Sequence, residues 1–251
     1  MSKNPTVLIT GASGGIGRAA AIECASKGAR IAVHYHSNLE LAEQTMDALS
    51  GSGHMKFQAD ITDPDQVENL ICSVENKMQS IDVLVNNAGI SQRHNIGDID
   101  YQTWQSSWKR IVDTNLTGPS NLSYCAIQKM IAQGGGRIVN VSSRGAFRGE
   151  PLMPWYGASK AGLNAMGQSM AQALGPKNIF VYTVAPGFVE TEMAASILAS
   201  AEGNDLRNQS TIGRVARPDE VGKIIGFLAM EAPEFMTGCI VDINGASYLR
   251  S

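Results

Sequence analysis

Short runs rich in Val and Ile alternate with longer segments of helical spacing along this chain, and nothing else constrains its fold so tightly. The apolar runs are Val7 to Thr10, Arg30 to His34, Met55 to Ala59, Val83 to Asn86, Arg137 to Val141, Phe180 to Val184 and Ile240 to Ile243. Between them lie Gly15 to Ser26, Leu39 to Leu49, Pro64 to Met78, Trp104 to Ala132, Trp155 to Leu174 and Pro218 to Met230, where apolar residues recur at helical intervals. Strands this apolar are buried on both faces, and repeated β-α-β units make a parallel sheet between helix layers. The expectation is an α/β fold: a doubly wound, seven-stranded parallel sheet with helices on both faces, formed as one domain over 1–251. A chain of 251 residues fits two small domains or one such unit, and one compact unit is the default.

Asp63-Pro64 and Arg217-Pro218-Asp219-Glu220 read as helix starts, with proline and acidic residues in the first turn. The stretch 187–216 shows neither a clear strand nor a strong core pattern. Connections of that length commonly serve as lids, so a substrate lid is expected there, with a surface insertion as the alternative.

A net charge of -3 gives no electrostatic footprint for nucleic acid, and no 18-residue apolar run spans a membrane. Met1 to Pro5 carries one Lys and no signal-peptide core, so a cytoplasmic protein without membrane or nucleic-acid partners is expected. With only 17% charged residues, some surface is expected to be buried between subunits. Cys24, Cys72, Cys125 and Cys239 match neither C-x-x-C nor zinc spacing, so free thiols and no metal are expected.

Directly after the first run comes Thr10-Gly11-Ala12-Ser13-Gly14-Gly15-Ile16-Gly17, opening a helix. Glycines let backbone approach a pyrophosphate, and a helix N-terminus offers free N–H groups and partial positive charge. The spacing reads as G-x-x-x-G-x-G through Gly15 or as G-x-x-G-x-x-G through Gly14.

Further along, Tyr156 and Lys160 stand at i and i+4, where a helix would put an ammonium beside a phenol and favour the phenolate. Taken alone, such a pair is more often an exposed one. Pro119 lies four residues after Asn115 and lacks the N–H that would bond the Asn115 carbonyl. At the end of the second run, NAD-preferring sites carry an acid, whereas this chain has Tyr35, followed by His36, Ser37 and Asn38 as donors for a 2′-phosphate. NADP(H) is therefore favoured, with NAD(H) as the alternative.

These residues together with Asp60, Asn86-Asn87-Ala88-Gly89, Gly136 to Ser143, and Pro186-Gly187 followed by Thr191 resemble the short-chain dehydrogenase/reductase family, of the compact single-domain type. In overall look the chain is most similar to 3-oxoacyl-carrier-protein reductases, although relatives acting on sugars, steroids and small ketones share the same features. The resemblance implies a Rossmann-like fold. It implies Ser143 holding the substrate oxygen, Tyr156 as acid in reduction and base in oxidation, and Lys160 lowering its pKa and holding the nicotinamide ribose. Asn115 would hold a water that links Lys160 to solvent. Cofactor contacts are implied for Gly11, Ser13, Gly14, Gly15, Ile16, Gly17, Tyr35, His36, Ser37, Asp60, Ile61, Asn87, Ala88, Gly89, Tyr156, Lys160, Pro186, Gly187, Val189 and Thr191. In the same relatives Gly14 is often Arg or Lys where NADP is used.

The segment between serine and tyrosine forms a pocket wall in relatives. Phe147, Met153 and Trp155 are expected there, facing Phe188 and Met193 of the lid. Arg144 and Arg148 flank this wall and are read as solvated loop arginines ahead of a site for a carboxylate or phosphopantetheine. The implied activity is NADPH-dependent reduction of a small-molecule carbonyl, a 3-oxoacyl thioester or other ketone. Alternatives are NAD-dependent oxidation of a sugar, steroid or small secondary alcohol and, more remotely, a non-catalytic nucleotide-binding regulator. A homotetramer or homodimer is implied, built through Trp104 to Ala132 and Trp155 to Leu174.

Overall fold

Strands β1 (Thr6–Ile9), β2 (Arg30–Tyr35), β3 (Met55–Gln58), β4 (Val83–Asn86), β5 (Gly136–Val141), β6 (Ile179–Pro186) and β7 (Ile240–Ile243) form one parallel sheet in the order β3-β2-β1-β4-β5-β6-β7. This is a computed structural model; it describes residues 4–250, so Met1, Ser2 and Lys3 of the N-terminal reading lie outside the described residues. Alternate side chains of each strand enter opposite cores, as a period of two requires. Val7, Ile9, Val83, Val85, Val139 and Val141 point to one side, and Leu8, Leu84 and Ile138 to the other.

Helices α1 (Gly15–Ser26), α2 (Leu39–Ala48) and α10 (Pro218–Met230) cover the first side through Ala20, Cys24, Ala42, Val221 and Ile225. Helices α3 (Pro64–Met78) and α5 (Gly118–Gln133) cover the second through Val67, Ile71, Leu122 and Met130. Between these pairs run α4 (Tyr101–Val112), a short α6 (Gly145–Arg148), α7 (Pro154–Leu174), α8 (Glu192–Leu198) and α9 (Glu202–Asn208). The winding reverses between β1 and β4, which opens a crevice at the C-terminal ends of the strands.

The single helix expected over Trp104 to Ala132 is two helices joined by a π turn. Asp100 caps its start by accepting from the Thr103 N–H at 2.7 Å. At Asp113–Thr117 the ladder widens, and the Gly118 N–H meets the Asp113 carbonyl five residues back, just before Pro119, which has no N–H to offer. The stretch 187–216, which lacked a pattern, contains α8 and α9. Each is seven residues long, too short to establish a periodicity. Its two ends meet where Val189 pairs with Ala216. The four cysteines are free, and no helix among the described residues is long and apolar enough to cross a membrane.

Candidate active site

The crevice begins at the glycine turn. Gly11 and Gly15 adopt φ of +64° and +51°, the left-handed region that glycine occupies without strain. A Cβ on Gly17 would stand 2.3 Å from the Gly11 carbonyl oxygen, so turn and helix touch backbone to backbone. The Thr10 hydroxyl accepts from the N–H groups of Asn87 and Ala88, both at 3.0 Å, and the Asn87 amide donates back to the Thr10 carbonyl at 2.8 Å. Helix α1 starts at Gly14 with no side-chain cap, and a Cβ there would meet nothing within 4 Å. Its first N–H groups therefore have no capping side chain to accept them. Thr191, from the loop after β6, comes within 3.1 Å of where a Gly15 Cβ would be, so it closes over the turn. This uncapped, side-chain-free cradle has the form a diphosphate needs.

A residue missed in the sequence holds the cradle from behind. His34 on β2 is buried, its Nδ1 accepts the Gly11 N–H at 3.1 Å, and Nε2 then donates to the Ala59 carbonyl at 3.1 Å. Burial pushes its pKa down to about 4, so the ring is neutral. Only a histidine inside an apolar run signalled it.

The adenosine end follows. The Tyr35 ring packs into the core, whereas His36 and Ser37 are exposed, and Asn38 is engaged in capping α2 through the Leu41 N–H. His36 Nε2 lies 3.8 Å from Asp60. Asp60 accepts from the Thr62 backbone and hydroxyl, which holds its carboxyl below the usual range, the backbone bond contributing most. Ile61 is buried beside Gly118.

On the other side of the reversal, the loop after β5 brings Ser143, α7 brings Tyr156 and Lys160, and the π turn brings Asn115. Ser142 is structural: its hydroxyl donates to the Lys160 carbonyl at 3.2 Å. Ser143 accepts the Gly145 N–H at 3.0 Å and sits close enough to the Tyr156 hydroxyl to lower its pKa. Asn115 pins the backbone of Ile90 through two bonds of 2.9 Å and donates to Ser159, whose hydroxyl holds the Tyr156 carbonyl. A Cβ on Gly89 would lie 3.2 Å from Asn115 Oδ1 and 3.3 Å from Lys160 Nζ, so a side chain there would press on both.

The electrostatics differ from the expectation. Lys160 is buried, its Nζ donates to the Val141 carbonyl at 2.8 Å, and it stands 5.9 Å from the centre of the Tyr156 ring. Burial raises the phenol above its ordinary range, with the Ser143 bond opposing, and the ammonium is not what sets its pKa. Loss of water is decisive here, and it lowers Lys160 itself to about 8.

Trp155 does not line a pocket. It is fully buried, donating to the Gln92 carbonyl at 2.9 Å with its ring edge-on to Trp104 and His94, and so braces the loop after β4. Met153 is the residue before α7, Phe188 lies under the Arg144 guanidinium at 5.2 Å, and Phe147 under that of Arg250 at 4.5 Å. Met193 is exposed on α8. Arg144 is not a solvated loop arginine: only 3% of it is exposed, and it donates to Gln209 at the end of α9. Gly187 and Pro186 end β6, and Val189 is buried.

Comparison with known proteins agrees with this geometry. The family model described as short chain dehydrogenase matches residues 5–202. A 3-oxoacyl-[acyl-carrier-protein] reductase from Staphylococcus aureus is 33% identical over 251 residues, covering 99% of this chain and 100% of its own length. One of the same description from Thermotoga maritima is 35% identical over 239 residues, 95% of each chain. Among solved structures, a provisionally assigned gluconate dehydrogenase from Agrobacterium tumefaciens superposes with a TM-score of 0.89 at 27% identity, covering 97% of this chain and 95% of its own.

Proposed function

The chain belongs to the short chain dehydrogenase family, and from that premise we propose that it reduces the carbonyl of a 3-oxoacyl thioester or another ketone with NADPH. It is an oxidoreductase of CH–OH or carbonyl groups in a small-molecule substrate, and it uses NAD(P)(H). The observation that carries the reading is the convergence of Ser143, Tyr156, Lys160 and Asn115 beside an uncapped glycine turn. A nicotinamide coenzyme, when bound, supplies or accepts the hydride. Gly11 to Gly17 and Thr191 would hold its diphosphate, with Asn87, Ala88, Gly89 and Lys160 beyond them.

The protein's part is proton handling and alignment. Ser143 holds the substrate oxygen, and Tyr156 gives that oxygen its proton; in the reverse direction it takes the proton back. A phenol raised by burial keeps its proton at neutral pH, which suits an acid in reduction. Asn115 keeps the strand extension at Ile90 and the first turn of α7 in fixed relation, so that the donors stay aligned.

The lack of an acid after β2 and the exposed His36 and Ser37 support NADP(H) over NAD(H). A second reading, NAD-dependent oxidation of an acid-bearing polyol, has the relative described as a gluconate dehydrogenase and the buried Arg144 in its favour. One domain with 187–216 as substrate lid, a cytoplasmic location, and a homotetramer or homodimer through α4, α5 and α7 complete the proposal; exposed Tyr101 and Tyr124 mark those helices.

NADPH and NADH consumption measured against β-keto thioesters, keto sugars and hydrophobic ketones tests the reading. Tyr156→Phe is expected to lower turnover by about 1,000-fold while coenzyme still binds. Full turnover by that variant, or none by the wild type across the panel, rejects it, the second outcome favouring a nucleotide-binding regulator.

A further inference from the structure

Arg144 is a buried arginine beside the proposed catalytic serine to which the proposed reaction gives no role. It follows Ser143 directly, and its backbone N–H is fixed to the Pro186 carbonyl at 2.9 Å. Its guanidinium lies against the Phe188 ring, and its recorded side-chain bond goes to Gln209, an uncharged amide. Among the described residues no carboxylate comes within ion-pair distance of it. Glu150 is held by Arg148 at 3.4 Å and Asp242 by Arg250 at 2.7 Å.

Glu150 acts on Arg144 only from beyond ion-pair distance, and a buried cation without a direct ion pair costs several kcal/mol, which an anionic ligand would offset. The same Gln209 oxygen also accepts from Arg148 at 3.3 Å, so two guanidinium groups converge on one neutral oxygen. That is the donor arrangement of a carboxylate site, with an amide where the anion would be.

We propose that the substrate carries a carboxylate a few bonds from its reacting carbon, received by Arg144 with Arg148 beside it. A short acid is the case to test first, because Arg144 directly follows the residue proposed to hold the substrate oxygen. The guanidinium stays charged at neutral pH even though burial lowers its pKa to about 10. Gln209 is then displaced or shared when the acid enters, and α9 moves with it. The inference rests on the reductase reading for its substrate oxygen, and the test separates the two.

The experiment compares acetoacetate and levulinate with their methyl esters, as kcat/KM with each coenzyme and as thermal stabilisation in the presence of coenzyme. The acids are expected to exceed the esters by about 30-fold in kcat/KM, chiefly through KM, the range of a charge-assisted hydrogen-bond pair. Arg144→Met should bring the acid-to-ester ratio close to one, Arg144→Lys should keep part of the preference, and Arg148→Met should lower it less. Equal or better use of esters by the wild type overturns the inference whatever the variants do, as does a preference that survives Arg144→Met. Stabilisation by acids but not esters, without turnover of either, upholds the carboxylate site and leaves the reductase reading to the ketone and thioester panel above. Neither turnover nor stabilisation by the acids rejects the carboxylate site, while turnover within the ketone and thioester panel keeps the reductase reading.

Discussion

At the glycine turn backbone makes the site, whereas at the substrate mouth side chains from distant segments make it. Gly11, Gly14, Gly15 and Gly17 offer N–H groups and bare surface, and the side chains that hold them, Thr10, Asn87 and His34, stand behind the cradle. Around Ser143, by contrast, Arg144 comes from the end of β5, Phe188 from the end of β6 and Gln209 from α9. A backbone cradle tolerates few changes and serves one kind of ligand. A side-chain mouth can be rebuilt for new substrates while the cradle stays as it is.

The sharpest way to break this contrast is Gly17→Ala. Its methyl would meet backbone at 2.3 Å, so turn and helix must part. A loss of about 3 kcal/mol in unfolding free energy is expected, with coenzyme binding lost in calorimetry.

Protonation of His34 attacks the same cradle without a mutation. In the unfolded chain His34 titrates near its ordinary 6.5, in the fold only near 4. Between those values the unfolded chain binds the proton and the folded one does not, so this contribution is complete above about pH 6.5 and falls away toward pH 4. Urea unfolding should show about 2 kcal/mol lost between pH 7 and pH 5. His34→Asn, which retains an acceptor and a donor, should flatten that dependence.

At the mouth, Gly203→Ala places a methyl 2.2 Å from the Leu198 carbonyl and forces α8 and α9 apart. About a tenfold fall in kcat/KM is expected, with coenzyme affinity unchanged by titration. If coenzyme affinity falls equally, the two regions are not independent. The smallest effect belongs to Gly14→Ala, which meets open space at a φ of -161°: stability should change by less than about 0.5 kcal/mol in the same urea assay, any loss appearing in coenzyme affinity.

Much of the site was legible because it is local in sequence. The turn after β1 and the i, i+4 pair on α7 are spacings, and Pro119 announced the irregularity that became a π turn. Trp155 was misread because its position between Ser143 and Tyr156 says nothing of Gln92, His94 and Trp104, which enclose it. Arg144 was misread because a loop arginine is usually solvated, and its burial comes from Phe188 and Gln209 far along the chain. Asn86 and Asn140 lie 54 residues apart in the chain, yet they meet in register, and the Asn86 side-chain amide donates a buried hydrogen bond of 2.9 Å to the Asn140 side-chain carbonyl.

Period and spacing in the chain by themselves determined the parallel sheet, the order of strand and helix, and the placing of glycines and the Tyr156–Lys160 pair, since each depends on near neighbours. Tertiary structure alone decided which groups lose water. That choice put His34 behind the cradle, raised Tyr156 against the sequence expectation and left Arg144 buried without a direct ion pair, because desolvation depends on segments that meet only after folding.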